Sequence, residues 1–227
     1  MAAAAEIADA VRHRPDLLLC APTGASPTLT YAWLATLAAA EPGLFHRMRV
    51  IALDEWGGLE VGNPATCAFY LQQHLITPLG IAPDRLLLWS SQPRDPAAEC
   101  SRVAGWLKQH GPIDICLLGL GLNGHLGLNE PAETHTPGPH VARLAPGSLQ
   151  HAMLRASSAV PSYGLTLGLG DLLRSRQIRV LVSGESKRAV LARLRQPVVS
   201  EQFPASYLWL HPDVCVLASA DACPEET

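Results

Sequence analysis

Short apolar runs alternate with helical patterns along almost the whole chain. Six runs have the length and apolar composition of buried strands, at residues 17–21, 49–53, 85–89, 114–118, 178–182 and 214–217. Helical patterns occupy residues 1–10, 27–40, 64–76, 96–110 and 185–194, with Ser26 as a candidate N-cap for the second of them. Strands that alternate with helices form a mainly parallel sheet covered by those helices. The sequence therefore predicts an α/β, Rossmann-like fold.

The length and composition indicate one domain over residues 1–227. With 48% hydrophobic and 16% charged residues, the chain has an ordinary globular composition. We find no linker-like stretch, low-complexity run or internal repeat that would divide it. Residues 133–148 are rich in proline and glycine, and we predict a long, partly irregular connection there.

Charge and cysteine content exclude several function classes. The net charge of −3 comes without any basic run, so we expect neither nucleic acid nor an anionic membrane surface as a partner. None of the six cysteines forms a CxxC pair that would suggest zinc or a redox dithiol. Cys20, Cys116 and Cys215 lie in apolar runs, so we expect buried, reduced thiols in a cytoplasmic protein.

A glycine-rich loop after the fourth predicted strand carries a histidine and a carboxylate. Residues 119–131 read GLGLNGHLGLNEP. Ligands of open α/β sheets gather outside the carboxyl ends of the strands, which is where this loop places His125 and Glu130. A histidine can shuttle a proton near neutral pH, and a carboxylate can fix its tautomer. The alternative is a glycine turn with one exposed histidine.

Three further polar, glycine-bearing loops follow predicted strands. Residues 22–27, PTGASP, form a plausible phosphate cradle, because Gly24 allows close approach and the helix start offers free N–H groups. Residues 53–58, LDEWGG, place two acids in a loop, and because side chains alternate only one should face a pocket. Lys187 follows a glycine at residues 183–187 and is suited to closing on a phosphate. An ordinary capped helix, solvated acids and a surface lysine are the alternatives.

These four loops resemble the glucosamine-6-phosphate deaminase/isomerase and 6-phosphogluconolactonase superfamily over nearly the whole chain. TGASP at 23–27 resembles its phosphate loop, LDEW at 53–56 its acidic loop, and GLNGH at 121–125 with NEP at 129–131 its catalytic loop. Lactonases typically have an Asp-Glu-Arg acidic loop and lack the NEP, so the chain falls with the amino-sugar deaminases. Trp56, Asn123 and PASYLWLH at 204–211 resemble most closely the galactosamine-6-phosphate deaminase/isomerase branch.

The resemblance implies isomerisation and deamination of galactosamine 6-phosphate to tagatose 6-phosphate and ammonia. Its catalytic residues would be His125, which opens the sugar ring, Glu130, which orients that histidine, and Asp54, which moves the C2 proton to C1. Asn123 stands where glucosamine-6-phosphate enzymes have an aspartate, and its amide can hydrogen-bond but carries no charge. The implied phosphate ligands are Thr23, Gly24, Ala25, Ser26 and Lys187, with His151 or Arg155 in place of the family's arginine. The resemblance implies no metal and no cofactor.

Other functions remain open from the sequence. They are a glucosamine-6-phosphate deaminase that gives fructose 6-phosphate, a 6-phosphogluconolactonase, and a non-catalytic sugar-phosphate sensor. We expect a phosphorylated amino sugar as partner, with assembly into a homo-oligomer left open. Compared with the family, the chain begins at the first helix and stops soon after the last strand, so regulation of the hexameric kind is not expected.

Overall fold

The central sheet of the protein is parallel throughout. The computed structural model describes residues 2–155 and 160–223. Their strands are β1 (Leu18–Ala21), β2 (Arg49–Ala52), β3 (Asp54–Gly57), β4 (Leu86–Leu87), β5 (Ile115–Gly119), β6 (His140–Ala142), β7 (Tyr163–Thr166), β8 (Gln177–Val182) and β9 (Val214–Ala218). Six of them form the central sheet in the order β4-β2-β1-β5-β8-β9, every pair parallel. The predicted fold class is confirmed.

Helices surround this sheet and bury its strands. They are α1 (Ala2–His13), α2 (Ala25–Ala40), α3 (Cys67–Leu71), α4 (Thr77–Leu79), α5 (Pro96–His110), α6 (Ala152–Arg155), α7 (Leu169–Leu173) and α8 (Arg188–Leu194). The side chains of β1 are all buried, as are those of β5 from Ile115 to Leu118, because helices cover both faces of the inner strands. None of the helices in the described part of the chain is long and apolar enough to span a membrane.

A second, antiparallel sheet was missed by the sequence analysis and corrects one prediction. The sheet has the order β3-β7-β6, with Asp54 opposite Thr166 and Gly57 opposite Tyr163. Residues 54–57 were predicted to lie in a loop, and they form β3 instead. Strand β3 could not be recognised from the sequence, because its partner β7 lies more than a hundred residues away and the two acids of β3 suggest a turn. Only Leu53 separates β2 from β3, so the chain passes directly from one sheet into the other.

Several predicted boundaries also change. Helix α2 begins at Ala25 with Gly24 at its N-cap, so Ser26 lies in the first turn and is not the cap. The helix predicted from residue 64 begins at Cys67, because Thr66 caps it by accepting a hydrogen bond from the Phe69 amide. Residues 133–148 are mostly irregular, as predicted, but contain β6.

One of the three cysteines that were expected to be buried is exposed. Cys20 and Cys116 lie in inner strands and are fully buried, which agrees with the prediction. Cys215 lies on β9, at the edge of the sheet, where one side of the strand has no neighbouring strand. An apolar run cannot distinguish an edge strand from a central one, and the prediction for Cys215 was wrong for that reason. All six cysteines are free thiols.

Candidate active site

A cavity of about 530 Å³ opens at the carboxyl edge of the central sheet. Strand β1 lies between β2 and β5, so the loops that follow β1 and β5 separate at this point of the sheet and leave a crevice. The cavity wall contains eight of the residues singled out from the sequence: Thr23, Ala25, Ser26, Asp54, Asn123, His125, His151 and Lys187. The four predicted loops therefore meet at one site.

Asp54 and Glu55 face opposite sides of β3, as the alternation of side chains along a strand predicts. The carboxylate of Asp54 lines the cavity, whereas Glu55 is 1% exposed and points away. Burial raises the pKa of Asp54 to about 6, and the neighbouring His125 and Cys67 oppose this rise. Asp54 is thus a carboxylate that is ionised above neutral pH and more basic than an exposed aspartate.

Glu55 anchors helix α3 to strand β3. Its carboxylate accepts hydrogen bonds from the backbone N–H groups of Trp56 at 2.7 Å, Cys67 at 2.8 Å and Ala68 at 2.8 Å. Burial raises the pKa of Glu55 to about 7, against the effect of these three donors. The two adjacent acids therefore have different tasks, since Glu55 fixes the start of α3 against β3 while Asp54 faces the cavity.

His125, Glu130 and Asn123 form one cluster in the loop after β5. Nδ1 of His125 lies 3.4 Å from Oε2 of Glu130, without the alignment of a hydrogen bond, so the contact is electrostatic. Asn123 donates from Nδ2 to Glu130 Oε2 at 2.8 Å and accepts from the His125 amide at 3.1 Å. Ser148 donates from Oγ to Glu130 Oε1. Although burial opposes ionisation, the contacts with His125 and Ser148 lower the pKa of Glu130 to about 2.

Glycines allow this loop to fold closely around the histidine. A Cβ atom at Gly121 would lie 2.5 Å from the His125 ring, so the ring occupies space that any larger residue would fill. Gly124 has φ +88°, and a Cβ atom there would lie 2.1 Å from Phe203. The Gly124 carbonyl also accepts a hydrogen bond from the Ala205 amide at 2.8 Å. The segment around Phe203 therefore packs against the loop and supports it.

The loop after β1 leads straight into helix α2 and is fixed by three hydroxyl groups. The Gly24 carbonyl accepts hydrogen bonds from Tyr70 at 2.8 Å and Thr28 at 2.9 Å. Tyr31 donates to the Pro22 carbonyl at 2.7 Å. With its carbonyls held in this way, the loop presents the start of a 16-residue helix to the cavity, and a helix start favours an anion.

Lys187 and His151 are the two basic side chains beside this loop. Lys187 donates from Nζ to the Leu120 carbonyl, and burial lowers its pKa. Nδ1 of His151 accepts from the Met153 amide at 3.4 Å, which leaves Nε2 as the donor atom. Nε2 lies 3.0 Å from the position that a Cβ atom of Gly24 would take. Burial lowers the pKa of His151, and so does the electrostatic effect of the nearby His125 and Lys187.

Three predicted residues do not line the cavity. Gly24 lies beside His151, and Glu130 lies behind His125. Arg155 is exposed at the end of α6, so of the two candidates for the family's arginine the structure brings only His151 to the loop after β1. Ser148, Tyr70 and Cys67 escaped the sequence analysis, because isolated hydroxyl and thiol groups carry no signal until folding brings them beside a functional group.

The fold and the site together define an α/β protein that brings the Asp54 carboxylate, the His125–Glu130 pair and the start of α2 to its topological switch point. The sequence model of the family described as "Glucosamine-6-phosphate isomerases/6-phosphogluconolactonase" matches residues 2–216 of this chain. The chain belongs to this family.

Several relatives are similar along most of their length. A protein from Escherichia coli (strain K12) named "Putative deaminase AgaI" is 39% identical over 91% of this chain and 82% of its own. Glucosamine-6-phosphate deaminase 1 of Bacillus subtilis (strain 168) is 35% identical over 95% of this chain and 90% of its own.

Solved structures agree with the family assignment. A monomeric glucosamine-6-phosphate deaminase superimposes with a TM-score of 0.92 at 35% identity, covering 97% of this chain and 92% of that one. The 6-phosphogluconolactonase from Leishmania guyanensis has a TM-score of 0.75 at 18% identity, over 97% of this chain and 92% of that one. The second likeness shows the shared fold alone.

Proposed function

We propose that the protein converts galactosamine 6-phosphate and water into tagatose 6-phosphate and ammonia. The observation that carries the proposal is the meeting of three groups in one cavity of about 530 Å³. They are the half-buried carboxylate of Asp54, the His125 side chain with Glu130 behind it, and the helix start with Lys187 beside it. A phosphorylated amino sugar needs all three, because it must be anchored, opened and deprotonated.

The phosphate would bind at the start of α2. Backbone N–H groups of the 23–26 loop, including that of Thr23, and the hydroxyl of Ser26 suit its oxygens, and Lys187 adds a positive charge. His151 presents Nε2 beside Gly24 and gives a further donor. Anchoring the phosphate at this end of the cavity would orient C1 and C2 toward Asp54 and His125, which also line the cavity.

Ring opening would fall to His125. Its Nδ1 faces Glu130 at 3.4 Å, so Nε2 remains for the substrate. The imidazole takes the proton of the C1 hydroxyl and delivers one to the ring oxygen, which gives the open-chain aldose. The carboxylate of Glu130 is ionised over the whole physiological range, because its pKa is about 2, and it stabilises the imidazolium that forms in between.

Asp54 would then transfer a proton from C2 to C1 of the open-chain sugar. Its carboxylate removes the C2 proton, which gives an enolamine, and returns that proton to C1, which leaves an imine at C2. Water adds to the imine and ammonia leaves, so one water is consumed for each ammonia released. A pKa of about 6 keeps Asp54 ionised at pH 8 and makes it a stronger base than an ordinary aspartate.

The galacto configuration of the substrate is supported by resemblance in three places, Trp56, Asn123 and the segment 204–211. Trp56 lies in the cavity wall beside His151, with ring centroids 5.8 Å apart. The second candidate is glucosamine 6-phosphate, which the 35% identical relatives named above favour. The two sugars differ at C4 alone, and one hydroxyl is read by the shape of the pocket.

An ammonia-release assay tests the proposal directly. Galactosamine 6-phosphate, glucosamine 6-phosphate and their N-acetyl forms are compared at equal concentration, with 6-phosphogluconolactone hydrolysis measured in parallel. We expect ammonia from galactosamine 6-phosphate at the highest kcat/KM. Preference for glucosamine 6-phosphate would reassign the substrate, and lactone hydrolysis without ammonia would replace the deaminase proposal. The Asp54→Asn variant is the control for a contaminating activity, since it should release none.

A further inference from the structure

We propose that Cys67 is a positioning residue that holds Oδ1 of Asp54 through its thiol, so that Oδ2 is the oxygen that takes the substrate proton. The inference rests on the proposed role of Asp54 as the base. Sγ of Cys67 donates to Oδ1 of Asp54 over 3.8 Å, and Oγ1 of Thr23 donates to Sγ over 3.3 Å. The three side chains form a chain of donors that runs from the loop after β1 to the base.

The backbone of Cys67 is fixed independently of its side chain. Its amide is one of the three donors to Glu55, at 2.8 Å, and Thr66 caps the helix that begins at Cys67. Residue 67 therefore contacts both acids of β3, Glu55 through the main chain and Asp54 through the thiol. Since Cys67 is 1% exposed, water cannot replace the thiol as the donor without rearrangement.

The thiol favours the ionised form of the base. A donor that points at a carboxylate oxygen lowers the pKa of that carboxyl, and Cys67 acts on Asp54 in this direction together with His125. The other titratable groups whose charges interact with Asp54 are Glu55 on its own strand, Cys20 on β1 and Tyr31 on α2. The neutral forms of Cys20 and Tyr31 are favoured by burial, so neither balances the charge of the base.

The thiol also restricts which oxygen reacts. An aspartate side chain can present either oxygen, and a carboxylate with both oxygens free would rotate between them. Holding Oδ1 leaves Oδ2 in a defined place, and proton transfer between neighbouring carbons needs a base that stays near both of them. The Thr23 hydroxyl, which donates to this thiol, joins the arrangement to the loop after β1.

The test compares Cys67→Ala, which deletes the donor, with Cys67→Ser, which keeps one. We expect Cys67→Ala to lower kcat roughly tenfold, the usual effect of losing one hydrogen bond to a charged group, with little change in KM. The acidic limb of its kcat/KM profile should move to higher pH by roughly half a unit to one unit. Cys67→Ser should recover most of the turnover, and Cys100→Ala, a buried thiol outside the cavity, should match the wild type.

Equal losses in the alanine and serine variants, with an unmoved acidic limb, would show that Cys67 only fills space and would overturn the proposal. A readout that needs no turnover separates this inference from the proposed function. In the infrared difference spectrum between wild type and Cys67→Ala, we expect the S–H stretch at the low frequency of a donating thiol. Asp54→Ala should move that band toward the free-thiol frequency, and an unmoved band would also overturn the inference.

Discussion

The carboxylate of Glu130 lies 3.4 Å from Nδ1 of His125 and shares its Oε2 atom with the amide of Asn123. One oxygen thus faces both His125 and Asn123, the residue that accepts a hydrogen bond from the His125 amide. The second oxygen accepts from Ser148. Charge on His125 is balanced by Glu130 alone within this cluster, because Asn123 and Ser148 supply hydrogen bonds without charge.

Replacing Glu130 should therefore harm turnover more than replacing Asn123. We expect Glu130→Gln to lower kcat by roughly a hundredfold or more, since the imidazolium loses its counter-ion, and Asn123→Ala by about tenfold, for a lost hydrogen bond. Steady-state ammonia release measures both variants. Comparable losses would mean that orientation, and not charge, is what His125 requires from this cluster.

Removing the charge of Asp54 should stabilise the fold while abolishing turnover. The folded pKa of about 6 is above the ordinary value of 3.8, so the ionised carboxylate is disfavoured in the folded state. The penalty is absent below pH 3.8, grows as the pH rises and is complete above pH 6. We expect Asp54→Asn to raise the free energy of unfolding by about 1 to 3 kcal/mol at pH 8.

Thermal or urea unfolding of Asp54→Asn beside the wild type at pH 4.5 and pH 8 measures this gain. The gain should be small at the lower pH and larger at the higher one. Equal stability at pH 8 would show that Asp54 carries no burial penalty, and its raised pKa would then lack a physical basis.

Binding of the phosphate should be coupled to proton uptake at His151. Its pKa is lowered by burial and by His125 and Lys187, and an incoming dianion beside Nε2 reverses that effect. Inorganic phosphate and sugar phosphates should then bind more weakly as the pH rises above neutral. His151→Gln retains a neutral donor, so we expect a higher KM, a kcat within about threefold of wild type and a flatter pH dependence. Calorimetry in buffers of different ionisation enthalpy gives the number of protons taken up on phosphate binding. An unchanged number in the variant would exclude His151 as the group that takes up the proton.

The contact between Gly124 and Phe203 can be separated from the backbone strain at the same position. Gly124 has φ +88° with Phe203 2.1 Å from a Cβ atom, whereas Gly62 has φ +83° with open space around it. Alanine at either site is strained, and only at Gly124 does it also collide. We expect Gly124→Ala to cost roughly 1 to 3 kcal/mol more than Gly62→Ala.

Chemical denaturation of both single variants, and of Gly124→Ala combined with Phe203→Ala, completes that comparison. The double variant should recover part of the difference in the free energy of unfolding if the Phe203 ring is what the added Cβ atom meets. Identical costs at Gly62 and Gly124 would leave Phe203 without this role.

The central sheet was predictable because its strands are local apolar runs, each read without knowledge of its partner. Helix α5 was predicted with the bounds that the structure has, since Asp95 and Pro96 mark its start and the predicted and observed ends are both His110. Strand β3 was not predictable in this way, because its identity depends on pairing with residues 163–166. Strand β4 was predicted at residues 85–89 and is confined to Leu86–Leu87, because its pattern is too short to fix its length.

The candidate site was predictable where a residue type is rare enough to stand out. The glycines around His125 indicate a loop at the end of a strand, and Asp54 directly follows a run with the composition of a buried strand. Cys67 and Ser148 could not be recognised, since a thiol and a hydroxyl acquire meaning only from the carboxylates that they contact. Arg155, the alternative to His151, is exposed, because the spacing of a charge in the sequence does not tell whether its side chain reaches the site.

The four segments of the site follow β2, β1, β5 and β8, which are consecutive neighbours in the sheet although they are spread over most of the sequence. A small molecule that touches all four segments would act as a temporary cross-link between distant parts of the chain. Its binding should slow amide hydrogen exchange along all four strands together, and not only in the segments that it touches. Ligand binding in the cavity could then be detected as slower amide exchange in the interior of the sheet.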